Sequence, residues 1–284
     1  VNYRHAYHAG NFADVVKHSV TVALLESLKR KSTPFAYLDT HAGSGRYSLS
    51  STEAVKTLEF AAGIKPLLNA TDLPIEFHAY IKVVRALNCA EASATSVYPG
   101  SPLIASTLMR PMDRLILCEL QAEEARKLKS EFIGDARVAC HQRDGYEALG
   151  AFLPFKEKRG LVLIDPPYEA QLAEFDRILE VLAEVYSRAP AAQIAVWYPI
   201  KLRQDIEYFY RRAVTLPYAR ILLGELCLHA PNTALRLNGC GMLLINPPFQ
   251  FETTLSAILS VLAKTLEQSR YGSTAVRWLK STET

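Results

Sequence analysis

Leu161-Val162-Leu163-Ile164-Asp165-Pro166-Pro167-Tyr168 is the stretch whose reading decides the fold. Four consecutive apolar residues, two of them β-branched, suit a central parallel strand covered on both faces. Asp165 then stands at the carboxyl end of that strand, where open α/β sheets place their ligands. Two prolines stiffen the turn and remove two donors, which leaves its carbonyls to accept. Tyr168 adds an aromatic face. The Asp165 carboxylate and the Pro166 carbonyl together accept both hydrogens of an exocyclic amine, while the Tyr168 ring stacks on the base that carries it. A transferase that holds a nucleobase amine against a methyl donor needs this arrangement. Taken alone, the same letters also fit an ordinary strand-to-turn junction.

Working outward, Phe35 to Asp39 reads as an earlier strand, followed by Thr40-His41-Ala42-Gly43-Ser44-Gly45-Arg46. A strand, an Asp and a Gly-containing turn open a nucleotide-type fold, and Gly43 lets backbone approach a ligand closely. The spacing is not GxGxxG. Asp39 and His41 would crowd a pyrophosphate, so a sulfonium amino acid such as S-adenosylmethionine fits better, and the glycine spacing makes a nicotinamide-dependent oxidoreductase a poor third reading. Arg114 to Cys118 is the next strand and ends in Glu119, where ribose hydroxyls are held in this class of fold. Ala136 to Cys140 is a third, followed by Asp144-Gly145, which puts a carboxylate near a donor's adenine amine. Gln193 to Trp197 is another strand. Arg220 to Leu228 and Gly241 to Ile245 resemble a hairpin at a sheet edge, and a last strand lies near Thr274 to Leu279. Helices alternate with these strands, so residues 1–284 read as one α/β domain.

The stretch 49–97 breaks the alternation and reads as a helical insertion. Ser51 caps a helix running to about Gly63, Ile75 to Asn88 forms another, and Ala90 to Ser96 is a loop. Ser101 reads as the N-cap of the helix after it. Near the start, Asn11 caps a helix from Phe12 to about Arg30, with Asp14 in its first turn. Lys17 and His18 fall between its apolar positions and point toward a ligand or solvent. Before it, Tyr3-Arg4-His5-Ala6-Tyr7-His8 is aromatic and basic, a mixture that touches phosphates and bases or packs by its tyrosines. His5 and His8 have no third ligand nearby, so no metal site is expected. Lys201, Arg203, Arg211 and Arg212 make either a phosphate-contacting stripe or a solvated helix face.

Composition narrows the class. Hydrophobic residues make up 49% and charged residues 21%, enough for a large core without a long disordered tract. A net charge of +3 permits nucleic-acid binding without arguing for it. The five cysteines show no CxxC spacing, which suits free thiols in a reducing compartment. No signal-peptide pattern and no membrane-length apolar run is visible, so a cytoplasmic protein without membrane contact is expected. A second candidate turn, Ile245-Asn246-Pro247-Pro248-Phe249, also follows an apolar strand. Position separates the two: the catalytic turn should follow the fourth strand, soon after Asp144-Gly145. Asp165 meets that condition, and Asn246 comes too late.

With these residues laid out, the chain resembles the bacterial 23S rRNA adenine-N6 methyltransferases of the RlmJ type over essentially its full length. The resemblance rests on Tyr3-Arg4-His5, His8-Ala9-Gly10-Asn11, Asp14-Val15-Val16-Lys17-His18, Tyr37 to Gly43, Tyr98-Pro99-Gly100-Ser101-Pro102 and Leu163 to Tyr168. Trp197-Tyr198-Pro199 and Asn246-Pro247-Pro248 add to it. It implies a Rossmann-like class I fold with a small helical insertion, S-adenosylmethionine as donor, and methylation of adenine 2030 in 23S rRNA. Lys17, His18, His41, Ser101, Glu119, Asp144, Gly145 and Asp165 match donor-site positions, and Tyr3 matches a position associated with RNA. The resemblance also implies a monomer acting on naked or partly assembled RNA. Ser44 departs from the family pattern, replacing a small apolar residue. Two other readings remain open: a methyltransferase of another amine, DNA adenine included, and a non-catalytic RNA-binding relative.

Overall fold

The structure, a computed structural model, describes residues 5–88, 96–230, 232–233, 237–269 and 272–281. After a 3-10 turn at His5–Tyr7, α1 (Phe12–Lys29) leads into β1 (Ala36–Asp39). β2 (Arg46–Ser48) and β3 (Val97–Pro99) pair as a small antiparallel ladder. Between them lie α2 (Thr52–Thr57), α3 (Glu59–Ala62), α4 (Ile64–Asn69) and α5 (Ile75–Ala86). Next come α6 (Ser101–Leu108), β4 (Arg114–Glu119), α7 (Ala122–Glu131), β5 (Val138–Gln142) and α8 (Gly145–Phe152). β6 (Gly160–Ile164), α9 (Gln171–Arg188), β7 (Gln193–Ile200), α10 (Arg203–Ala213) and β8 (Arg220–Cys227) follow. β9 (Gly239–Ile245), α11 (Phe251–Thr265) and β10 (Ser273–Ser281) complete the order.

The main sheet has the strand order β10-β8-β9-β7-β6-β1-β4-β5. From β5 to β7 the strands are parallel, whereas β9 is antiparallel to both β7 and β8, and β10 is antiparallel to β8. This is the Rossmann-like α/β architecture expected from the sequence. In β6, Leu161 and Leu163 enter the core on one face, with α1 and α11. Val162 and Ile164 enter the core on the other face, with α9 and α10. That two-sided burial is why β6 has no polar position. The chain runs from β1 outward to β4 and β5, then returns past β1 to β6. The direction of winding therefore changes between β1 and β6, where a crevice opens at the carboxyl ends of the strands. Helix α1 packs on β6 and β9 and against α5, α6 and α11, and is buried around most of its circumference.

Several local expectations are corrected. The helix begun by Ser51 does not run to Gly63. It breaks at Leu58, which takes a left-handed φ of 52°. The cause is tertiary: the Thr57 hydroxyl donates to the Tyr7 carbonyl, and Glu59 bonds His8 and Asn11. Gly63 then lies so close to the first loop that a Cβ there would sit 2.1 Å from the Gly10 carbonyl oxygen. Ser101 is not a cap, since Gly100 holds that place and the Ser101 hydroxyl donates to Asp39 Oδ2 at 2.7 Å. Arg203 and Arg212, read as possible phosphate contacts, are paired with Glu225 and Asp176. Tyr3, Arg4, residues 89–95 and parts of the 229–238 loop lie outside the described residues. Among the described residues no helix is long and apolar enough to cross a membrane.

The β8–β9 pair is not an edge hairpin. β9 is inserted beside β7, and β10 forms the edge. Because β9 is antiparallel, Ile245 lies opposite Ile194 at the start of β7. Asn246 therefore emerges at the end of the sheet away from Asp165. It adopts φ 49°, and its side-chain amide donates to the Pro190 and Ala192 carbonyls, both at 2.9 Å. Asn tolerates this backbone and Ala does not. Asn246→Ala is expected to lower unfolding free energy by about 1–3 kcal/mol in urea titrations while leaving transferase activity intact.

Candidate functional site

The Asp165 carboxylate does not stand alone at the end of β6. Lys17 of α1 reaches across the crevice and places Nζ 2.5 Å from Asp165 Oδ2. The same ammonium lies 2.9 Å from Asp14 Oδ1, one helical turn earlier. Asp14 in turn accepts from the Gly10 backbone N–H and bonds His5 Nε2 at 3.0 Å. Lys17 and Asp14 are almost fully buried. Burial disfavours the Lys17 charge, but the carboxylates of Asp14 and Asp165 outweigh it and hold the ammonium well above its usual value. Burial likewise opposes ionisation of Asp14, yet His5 and Lys17 bring it well below the carboxylate range. The ring of Tyr168 is set by its hydroxyl, which donates to the Trp197 carbonyl, and by edge contacts with Phe175 and Trp197.

On the other side of the crevice, His18 Nδ1 is bonded to the Tyr98 hydroxyl at 2.7 Å, and Tyr98 to Tyr80. His18 Nε2 is buried without a protein partner. Desolvation lowers this histidine to about 3, so it is neutral, with one ring nitrogen still to satisfy. His41 is brought down to about 4 for the same reason. Its ring sits edge-on to Tyr146, and its Nδ1 is bonded to the Thr40 hydroxyl. At the end of β4, Glu119 accepts from the backbone N–H of Gly43 at 2.9 Å and of Gln121 at 2.7 Å. Gly43 needs its freedom, with φ 61° and Tyr47 Oη 2.2 Å from any added Cβ. Asp144 caps α8 by accepting from the Tyr146 and Glu147 N–H groups, and its second oxygen accepts from Arg177 at 2.8 Å. Gly145 packs against Thr40, whose carbonyl oxygen leaves no room for a Cβ.

These groups line one cleft of about 1190 Å³. Lys17, His18, His41, Gly43, Ser101 and Glu119 all face it, as do Asp144, Gly145, Asp165, Pro166 and Tyr168. His5 and His8 line its outer part. Asp39 is the exception: it is fully buried below the floor, where the Tyr37 and Ser101 hydroxyls both donate to Oδ2. Burial raises its carboxyl to about 6.

A family model described as Ribosomal RNA large subunit methyltransferase D, RlmJ, matches residues 32–280. Two proteins named Ribosomal RNA large subunit methyltransferase J, from Haemophilus influenzae and Escherichia coli, are each 40% identical over 279 residues. The matches span 98% of this chain and 99% of theirs. The chain belongs to the RlmJ family. A crystal structure of a Legionella pneumophila protein superposes with a TM-score of 0.86 at 36% identity, covering 95% of this chain and 98% of that one.

Within this RlmJ-family cleft, sequence reasoning missed Asp14 as a site residue, along with Tyr146, Arg177 and Trp197. Asp14 and Lys17 are three apart on one helix, a spacing that puts them on one face, so their pairing was legible. Trp197 lies near the carboxyl end of β7, beside β6, where the strand-end rule could have found it. Arg177 projects from the first half of α9, a position without a sequence signal. Its guanidinium lies 4.3 Å from the Tyr146 ring centre.

Removing Lys17 leaves the Asp14 and Asp165 carboxylates facing each other without their shared counter-charge. Lys17→Met is expected to cost about 3–5 kcal/mol in chemical unfolding, with Lys17→Met/Asp14→Asn less destabilised than the sum of its single variants. His18 and His41 are depressed in the fold, so the stability they contribute is present above about pH 6.5 and falls as the pH drops toward 4 and 3. The two histidines outweigh the raised Asp39 carboxyl, which offsets part of the loss below about pH 6, so thermal midpoints are expected to fall from pH 6.5 toward 4, and His18→Gln should flatten that slope.

Proposed function

We infer that this protein transfers a methyl group from S-adenosylmethionine to the exocyclic N6 of one adenine in 23S rRNA, adenine 2030 by family correspondence. One observation carries the reading: an amine-accepting Asp-Pro-Pro-Tyr turn at a strand end opens into the same cleft as Glu119, Asp144 and the unpartnered His18 Nε2. The donor set suits the cofactor. His18 Nε2–H offers a hydrogen bond to a carboxylate, Glu119 accepts from a diol, and Asp144 accepts from an adenine amine. Gly43, His41, Ser101 and Gly145 form the walls, and Asp39 keeps Ser101 in place. When bound, S-adenosylmethionine supplies a sulfonium-activated methyl carbon.

The chain's own residues do the rest by positioning. The adenine leaves its stack to reach the cleft, as base-modifying enzymes require, and lies against Tyr168. Lys17 occupies Oδ2 of Asp165, which leaves Oδ1 for the amine, and the Pro166 carbonyl takes its other hydrogen. These two acceptors aim the nitrogen lone pair along the methyl carbon's line of attack. With the donor bound, its methyl carbon would pass to this nitrogen and the carbon–sulfur electron pair would stay with sulfur, while Asp165 and Pro166 hold the amine in line. The amine's extra proton then leaves past Asp165. Orientation of this kind is worth an effective molarity of up to ~10⁵–10⁸ M. Tyr3, Arg4, His5 and His8 bind the RNA, and residues 49–97 act as a helical subdomain of the 1–284 domain. The enzyme acts in the cytoplasm as a monomer on naked or partly assembled rRNA, without a metal.

Asp165→Ala is expected to lower transfer from labelled donor to protein-free 23S rRNA by about three orders of magnitude or more, since the oriented acceptor is removed, and to lower stability as well, since Lys17 keeps only Asp14 as a counter-charge. Binding of S-adenosylhomocysteine should be retained. Mass-spectrometric mapping of rRNA from a deletion strain should reveal one lost N6-methyladenine, restored by the wild-type gene and not by Asp165→Ala. Methylation of duplex DNA with rRNA untouched would reject the reading.

A further inference from the structure

We propose that Leu58 is an apolar wedge at the cleft rim, which enters the RNA stack and fills the place the target adenine vacates. This rests on the RNA reading above. Among the described residues, Leu58 is the one apolar side chain held at a positive φ. Left-handed backbone is unfavourable for leucine and persists only where neighbours impose it. Here they do: Thr57, before it, donates to the Tyr7 carbonyl, and Glu59, after it, bonds His8 and Asn11. The position is thus pinned on both sides by the segment leading into α1. That strain is not compensated by burial, because the Leu58 side chain remains 53% exposed and lines the cleft. Val55, one turn earlier on α2, is exposed to the same extent, with exposed Lys56 between them.

Leu58 joins α2 to α3 in this left-handed conformation, a place glycine usually takes, and an apolar side chain left in water there calls for an occupant. The cleft it borders receives a base that must first leave a stacked strand. Proteins that unstack nucleic acid insert leucine and similar apolar side chains between bases, which replaces part of the lost stacking. A neighbouring lysine suits the adjoining phosphate. The wedge is fixed to the segment that carries His5 and His8, so it and the cleft wall meet the RNA as one piece.

The test separates unstacking from chemistry. Leu58→Gly removes the side chain and also relaxes the backbone, so its thermal midpoint should equal or exceed that of the wild type. Single-turnover transfer is measured on protein-free 23S rRNA and on a short unstructured fragment carrying the same adenine. 2-Aminopurine placed at the target in a folded rRNA fragment reports unstacking. The expected result is a loss of about tenfold or more on folded rRNA, a scale set by the few kcal/mol of unstacking. The 2-aminopurine signal should be blunted, the unstructured fragment should be methylated at nearly the wild-type rate, and Leu58→Met should restore most of the loss. An undiminished rate on folded rRNA, an equal loss on both RNAs, or an unchanged 2-aminopurine signal overturns the wedge. Failure of the wild-type enzyme on both RNAs would instead overturn the RNA reading, and the wedge with it.

Discussion

The buried ion pair between Lys17 and Asp165 is the constraint on which the rest of the structure depends. Taking an ammonium and a carboxylate out of water is costly, and the attraction between them compensates only when the geometry is good and the remaining valences are met. Asp14 meets one of them from one turn away, and Asp165 can approach only because β6 ends at the crevice. α1 must then lie directly over the carboxyl end of the sheet. It does so by burying apolar side chains against β6, β9, α5, α6 and α11. A helix buried on nearly every side would ordinarily be apolar throughout. The polar residues of α1 that face the cleft are the departure from that rule, and they mark where the helix serves the site.

The two Pro-Pro turns show that a motif takes its meaning from strand direction. Asp165 follows a parallel strand beside the switch in winding, and Asn246 follows an antiparallel strand whose end points the other way. One turn opens into the cleft. The other caps two carbonyls beneath the sheet with a side chain that tolerates left-handed backbone. Residue letters alone cannot distinguish them, but the order and polarity of the strands can.

The central parallel strands were legible because β1, β4 and β6 are buried on both faces and carry the apolar runs that such burial requires. The residues at their carboxyl ends, Glu119 and Asp165 foremost, were legible for the same reason. The misread parts were fixed by distant contacts. The break at Leu58 is imposed by Tyr7, His8 and Asn11, and no periodicity within 49–63 contains that information. The insertion of β9 between β7 and β8 is invisible to local pattern, because a hairpin reads alike at an edge or inside a sheet. Asp39 was correctly taken as a strand-end acid, yet its side chain turns below the floor, where two hydroxyls satisfy it.

The cleft is built by two different kinds of constraint, and the difference follows its chemistry. At the end formed by Glu119, Gly43 and Asp144, carboxylates are fixed mainly by backbone N–H groups of turns and a helix start, with the Arg177 side chain added at Asp144. Such bonds move only if the fold moves, which suits a subsite for a ligand of constant shape. At the end formed by Asp165, the carboxylate is fixed by a side chain, Lys17, itself joined through Asp14 to His5 in the short turn that begins the described chain. Side-chain ion pairs can rearrange without unfolding a strand. The Asp165 end is thus coupled, through buried side chains, to the segment that lines the outer part of the cleft. A cleft built this way ties one end to the backbone of the fold and the other to the ion pairs of α1.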